Sequence, residues 1–96
     1  MGIDHVAINV ADIHKSVRWY VEFLDAAIDY QDDTWAMLKV GESKVALALK
    51  SQHPPHIAVT VDEFPEGSMI KEHRDGSRYV YKSDPDGNII ELISYT

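Results

Sequence analysis

Apolar and polar positions alternate with a period of two through His5-Val6-Ala7-Ile8-Asn9-Val10, the pattern of a strand with two unlike faces. Val6, Ile8 and Val10 share one face; His5, Ala7 and Asn9 share the other. The same pattern returns at His56-Ile57-Ala58-Val59-Thr60-Val61, an offset of 51 residues. Each copy reads His, β-branched, Ala, β-branched, small polar, Val, and each exits through acids (Asp12; Asp62-Glu63). The recurrence of His and Ala in register is read as a duplicated unit. The apolar face of each copy is expected to pack under a helix. The other face is expected to line a cavity, because a core face does not favour His and Asn.

After the first strand, Asp12 is placed as a helix N-cap. Ile13, Val17, Tyr20, Val21 and Leu24 follow at helical spacing, which predicts a helix ending near Asp25. Strands are expected at Ala27–Gln31, Thr34–Val40 and Ser43–Lys50, with turns at Asp32-Asp33 and Gly41-Glu42. The first module, residues 1–52, is therefore β-α-β-β-β. Pro54-Pro55 separates it from a second module, residues 53–96, since neither proline can donate to a ladder. There, Pro65 and Gly67 limit any helix between Asp62 and Lys71 to one or two turns. Glu72 to Ser77 reads as a loop and Arg78 to Lys82 as a strand. Asp84-Pro85-Asp86-Gly87 is a turn and Asn88 to Tyr95 the closing strand. The second strand of this module is not legible. The whole is an α+β chain of paired βαβββ modules forming a curved mixed sheet around a pocket, the second module shortened, in a single domain.

Composition narrows the class of function. At 45% apolar and 26% charged residues the chain reads as globular rather than disordered. No apolar run approaches the roughly 20 residues needed to span a bilayer. The N-terminal stretch has no basic region followed by an apolar one, so no signal peptide and a cytoplasmic location are expected. Without cysteine, disulfides, thiolate metal sites and a Cys nucleophile are excluded. Sixteen acids against nine bases give a formal charge of −7, which repels phosphate backbones and argues against nucleic-acid binding. The same charge would attract a cationic ligand.

The candidate chemistry gathers on three residues. Two histidines at equivalent positions of a duplicated strand come near each other if the copies pair about a pseudo-twofold axis. Glu91, inside Ile89-Ile90-Glu91-Leu92-Ile93, is a carboxylate costly to bury without a partner. A divalent cation is such a partner. Two imidazoles and one carboxylate that leave coordination positions open form the facial triad typical of iron(II) and related metals.

The His5 strand, the helix with Ser16-Val17-Arg18-Trp19-Tyr20, the His56 strand and Asp84-Pro85-Asp86-Gly87-Asn88-Ile89-Ile90-Glu91-Leu92 together resemble the vicinal-oxygen-chelate superfamily of glyoxalases, bleomycin-resistance proteins and extradiol dioxygenases. The resemblance covers nearly the whole chain, and its most specific part is the DPDGN-x-x-E-L element. It implies metal ligation by His5, His56 and Glu91, with Fe, Mn, Zn, Ni or Co all compatible. It also implies a small-molecule substrate held through adjacent oxygens, and a homodimer. Glyoxalase I-like members add a fourth ligand from the last strand of the first module. Aligning the final strands puts Leu47 opposite Glu91, so that ligand is missing. Extradiol dioxygenases and fosfomycin-modifying enzymes use the His-His-Glu set, with a tyrosine ten residues before the Glu, the place of Tyr81. The extradiol type is the better match, with an isomerase, epimerase or lyase on the same scaffold left open; the Tyr81 phenol would donate a hydrogen bond to an oxygen at the metal. His73, in the 72–77 loop, is the candidate for a catalytic histidine.

Plainer readings stand beside these. His5 and His56 can be inner-face histidines without a metal, Glu91 an edge-strand carboxylate, and Tyr81, alternating with Tyr79, a packing aromatic. His73, His14 and His53 read as solvated loop or helix residues, Trp19 and Trp35 as packing or interface residues, with Trp35 a further candidate for the pocket lining. The alternative function is a metal-free protein that sequesters a cationic small molecule, as bleomycin-resistance proteins do. A degenerate module acting as a regulatory subunit is a third.

Overall fold

A computed structural model describes residues 1–95. Its described residues form one helix and eight strands: β1 (Gly2–Asn9), α1 (Ile13–Leu24), β2 (Ala27–Gln31), β3 (Trp35–Val40), β4 (Ser43–Ala48), β5 (His56–Thr60), β6 (Lys71–Glu72), β7 (Arg78–Ser83) and β8 (Ile89–Ser94). The α+β class and mixed strand pairing agree with the sequence reading. The chain divides into two compact units, one of His5–Pro55 and one of Met1–Asp4 with His56–Thr96. The start of β1 thus groups with the second module, not the first.

In the His5–Pro55 unit the strands lie in the order β2-β3-β4-β1. β1 runs parallel to β4, and β4, β3 and β2 alternate antiparallel. The helix forms where the apolar spacing places it. The Asp12 carboxylate accepts the Lys15 amide at 3.1 Å, and Asp25 ends the helix in the left-handed region at φ 55. Ile13 and Val17 drive into a core with Ala26, Ala36, Leu38 and Leu47, against which Ile8 and Val10 also pack. Fully burying side chains such as Leu38 and Leu47 stabilises by roughly 1.5–3 kcal/mol each. The β2–β3 turn is held by Asp32, whose Oδ1 accepts the amides of Thr34 (2.7 Å) and Trp35 (2.9 Å).

The other unit repeats this plan without a helix. Its strands lie in the order β5-β8-β7-β6, with β5 parallel to β8, and β8, β7 and β6 antiparallel. The missing second strand proves to be the two-residue β6, too short to show periodicity. Between Asp62 and Lys71, where the sequence allowed a helix of one or two turns at most, none forms. Pro65 instead opens a turn in which its carbonyl accepts the Ser68 amide at 3.1 Å, and this irregular segment brings the Phe64 ring under the Arg78 guanidinium, 5.6 Å away.

Burial corrects the expectation about the strand faces. Ile8 and Val10 do lie toward α1, but Val6 is 38% exposed and Ile57 39% exposed. The second module has no helix to cover its apolar face. In β5 the fully buried side is that of His56 and Ala58.

The candidate metal centre and its surroundings

The most enclosed charged group among the described residues is Glu91, 1% exposed in the middle of β8. Its surroundings come from neighbouring strands of the same unit. In the parallel β5–β8 ladder Ala58 stands beside Glu91 and His56 beside Ile89. In the antiparallel β7–β8 ladder Tyr81 is directly opposite Glu91. Alternation puts Tyr79, opposite Ile93, on the same face as Tyr81.

Two imidazoles meet the carboxylate, one on each oxygen. His73 Nε2 lies 2.7 Å from Oε2, while His56 Nε2 lies 3.4 Å from Oε1. The first is the length of a charge-assisted hydrogen bond. The second is too long for that. It matches two ligand atoms on one first-row cation, since bonds of about 2.0–2.2 Å meeting at about 90–110° set ligands about 3.0–3.5 Å apart. The donor set of this unit therefore fits a divalent ion held by His56 Nε2 and Glu91 Oε1.

Electrostatics follow from the same contacts. Burial pushes the Glu91 carboxyl upward, but the flanking imidazoles of His56 and His73 outweigh it and bring the group down to about 2. Glu91 is thus ionised at neutral pH, and His73 donates its Nε2–H. Tyr81 moves the other way: burial first, then the charges of Glu91 and Tyr79, raise its phenol well above the ordinary tyrosine range. It stays a donor at any physiological pH.

His73 is fixed by a tight turn within the segment that the sequence reading took as a loop. Its amide donates to the Ser77 carbonyl at 2.8 Å, and its own carbonyl accepts the Gly76 amide at 3.0 Å. Asp75 Oδ1 accepts both the amide and the hydroxyl of Ser77, at 2.9 and 2.6 Å. The ring then lies flat on Tyr79, centroids 3.7 Å apart at 11°, and Tyr79 meets Tyr81 edge-on at 5.4 Å. Tyr81 in turn lies 5.4 Å from the His56 ring. Tyr79 is the residue that sequence reasoning passed over. Its signal was the Asp75-Gly76 pair, a local turn cue that folds the His73 loop back along β7.

The structure thus brings His56, His73, Tyr81 and Glu91 together in one unit. His5 belongs to the other, where it is 8% exposed, as buried as His56. It follows Asp4 directly, and Asp4 is tied to the Glu91 unit, its Oδ2 accepting the Tyr95 hydroxyl at 2.8 Å.

The expected alignment of Leu47 with Glu91 is off by one. Ala7 pairs with Ala46 as Ala58 pairs with Glu91, so Ala46 is the counterpart and Leu47 that of Leu92. Leu47 faces the α1 core instead. A one-residue slip moves a side chain to the opposite face, and the first module still offers no fourth ligand. Asp84-Pro85-Asp86-Gly87 is structural, as expected. Asp84 Oδ1 accepts the amides of Asp86 (2.9 Å) and Asn88 (2.8 Å), and Gly87 takes φ 87. His14, on α1, contacts Asp33 and Gln31 at the surface, Trp19 stacks on Phe23, and Trp35 stacks on Tyr30.

Comparison with known proteins places this arrangement. The family model described as the glyoxalase/bleomycin resistance protein/dioxygenase superfamily matches residues 2–72. No curated protein matches the chain. Among solved structures, methylmalonyl-CoA epimerase from Mycobacterium tuberculosis is similar at TM-score 0.74 and 19% identity, over 99% of this chain and 88% of that one. A superfamily member from Vibrio splendidus 12B01 is similar at TM-score 0.74 and 14% identity, over 94% and 95%. A single-residue variant of Streptomyces coelicolor methylmalonyl-CoA epimerase, in complex with 2-nitronate-propionyl-CoA, is similar at 0.73 and 19%, over 98% and 96%. At these identities the structures speak for the fold alone. No helix among the described residues is long and apolar enough to cross a membrane. The family match spans most of the chain, and the chain belongs to the glyoxalase/bleomycin resistance protein/dioxygenase superfamily.

Proposed function

We propose that this protein is a metal-dependent enzyme acting on a small molecule bound through two adjacent oxygens, with His5, His56 and Glu91 as its metal ligands. The observation that carries the reading is the 3.4 Å spacing of His56 Nε2 and Glu91 Oε1 around a buried, ionised carboxylate. His5 is included because it is the repeat counterpart of His56, equally buried, and one peptide bond from Asp4. The ion, when bound, supplies a Lewis acid and a template for both substrate oxygens.

The chain's own residues do the rest. Two imidazoles and one carboxylate would leave coordination positions open for a bidentate ligand. Tyr81, protonated at neutral pH and opposite Glu91, donates a hydrogen bond to the substrate oxygen on which charge develops. The His-His-Glu set with Tyr81 favours an extradiol-dioxygenase-like subtype, acting on a catechol. The epimerases with the same fold act on a coenzyme A ester, the runner-up class.

The test is the metal content of gently purified protein and of the His5→Ala variant. One divalent ion per chain in the parent, lost in the variant, is the expected result. A chain that takes up none of Fe, Mn, Zn, Ni or Co on titration overturns it, and cationic-ligand binding by that metal-free chain would establish sequestration instead.

A further inference from the structure

We infer that His73, held flat against Tyr79, is a positioning residue for Glu91: it anchors Oε2 so that Oε1 is presented toward His56. This rests on the metal-binding reading above and replaces the direct catalytic role expected of His73.

A carboxylate that ligates through one oxygen turns freely about its last torsion unless the other oxygen is held. Groups that hold it orient the ligand and sharpen the site. Here the two oxygens have unlike partners at unlike distances. Oε2 has a hydrogen-bond donor at 2.7 Å; Oε1 has a nitrogen at 3.4 Å, spaced for an ion between them. His73 is therefore engaged by the oxygen that the ion does not need.

The donor is itself fixed in two ways. Its backbone is hydrogen-bonded on both sides within the 73–77 turn. Its ring is clamped by the Tyr79 stack at 3.7 Å, which sets the direction of Nε2–H. Tyr79, Tyr81 and His56 then continue T-shaped and tilted ring contacts at 5.4 Å each, so the aromatic groups wall the carboxylate on one face of β7. None of this needs His73 to touch a substrate.

Calorimetric titration with Mn(II) and Zn(II) of the parent, His73→Ala, His73→Gln and Tyr79→Leu is the test, with circular dichroism confirming that each variant folds. His73→Ala should weaken metal binding roughly 10- to 100-fold with stoichiometry unchanged. His73→Gln, which keeps a side-chain N–H, should recover part of the loss, and Tyr79→Leu should fall between. A His73→Ala affinity within about threefold of the parent overturns the inference. So does loss of stoichiometric binding, which would make His73 a ligand. A parent that binds no ion overturns the proposed function, and the second readout then decides this inference alone. The Glu91 Cδ resonance in carbon-13 spectra should move on His73→Ala if Oε2 is anchored; an unmoved resonance overturns it.

Discussion

Tyr81 and Glu91 stand directly opposite one another in the β7–β8 ladder, a phenol kept protonated facing a carboxylate kept ionised. Burial raises the first; two histidines lower the second against the same burial. Groups on one face whose environments push them apart are suited to different tasks, one donating a hydrogen bond and one holding charge.

That pairing predicts a separable effect for Tyr81→Phe. The ring contacts with His56 and Tyr79 survive, so fold and metal affinity should match the parent. Affinity for 4-nitrocatechol, a coloured probe with two adjacent oxygens, should fall about 10-fold, the loss of a charge-assisted hydrogen bond of about 1.5 kcal/mol. Visible titration of the metal-loaded protein measures it.

Acid sensitivity should centre on Glu91. Its folded value, about 2, lies below the ordinary 4.5. The contribution is then fully present above about pH 4.5 and is lost as pH falls toward 2. Urea unfolding in the presence of a chelator should show stability falling by on the order of 2 kcal/mol across that window. Glu91→Gln should flatten this dependence, and an unchanged slope in that variant would contradict the assignment.

Leu47→Ala tests the corrected register. Leu47 packs with Ile13, Val17 and Leu38 beneath α1, so the substitution should cost about 2–5 kcal/mol in urea unfolding. A Leu47 lining the metal face would instead change metal affinity with little loss of stability.

Gly87→Ala tests the DPDGN turn as structure rather than chemistry. At φ 87 a Cβ is strained, which should lower stability by about 1–2 kcal/mol. The Tm should drop while metal stoichiometry stays at the parent value.

How far the sequence reaches can be judged from particular residues. Asp12 and the spacing of Ile13, Val17 and Val21 fixed α1 because caps and helical periodicity are local. The repeat around His5 and His56, and the turn at Asp84–Gly87, were legible for the same reason: each signal lies within a few neighbouring residues. Three things depended on the tertiary structure. β6 is two residues long and is defined only by its pairing with Arg78 and Tyr79. Whether Ala46 or Leu47 matches Glu91 is a matter of register, set by cross-strand pairing that an alignment of apolar patterns does not resolve. The partner of the second Glu91 oxygen is His73, eighteen residues away, brought there by the β6–β7 hairpin, and nothing in the local sequence says which carboxylate its ring will meet. Composition and periodicity determine which residues prefer burial and which strands exist. Which buried polar groups meet is decided by the folded ladder, since hydrogen bonds and ligand spacing depend on distances of a few tenths of an ångström.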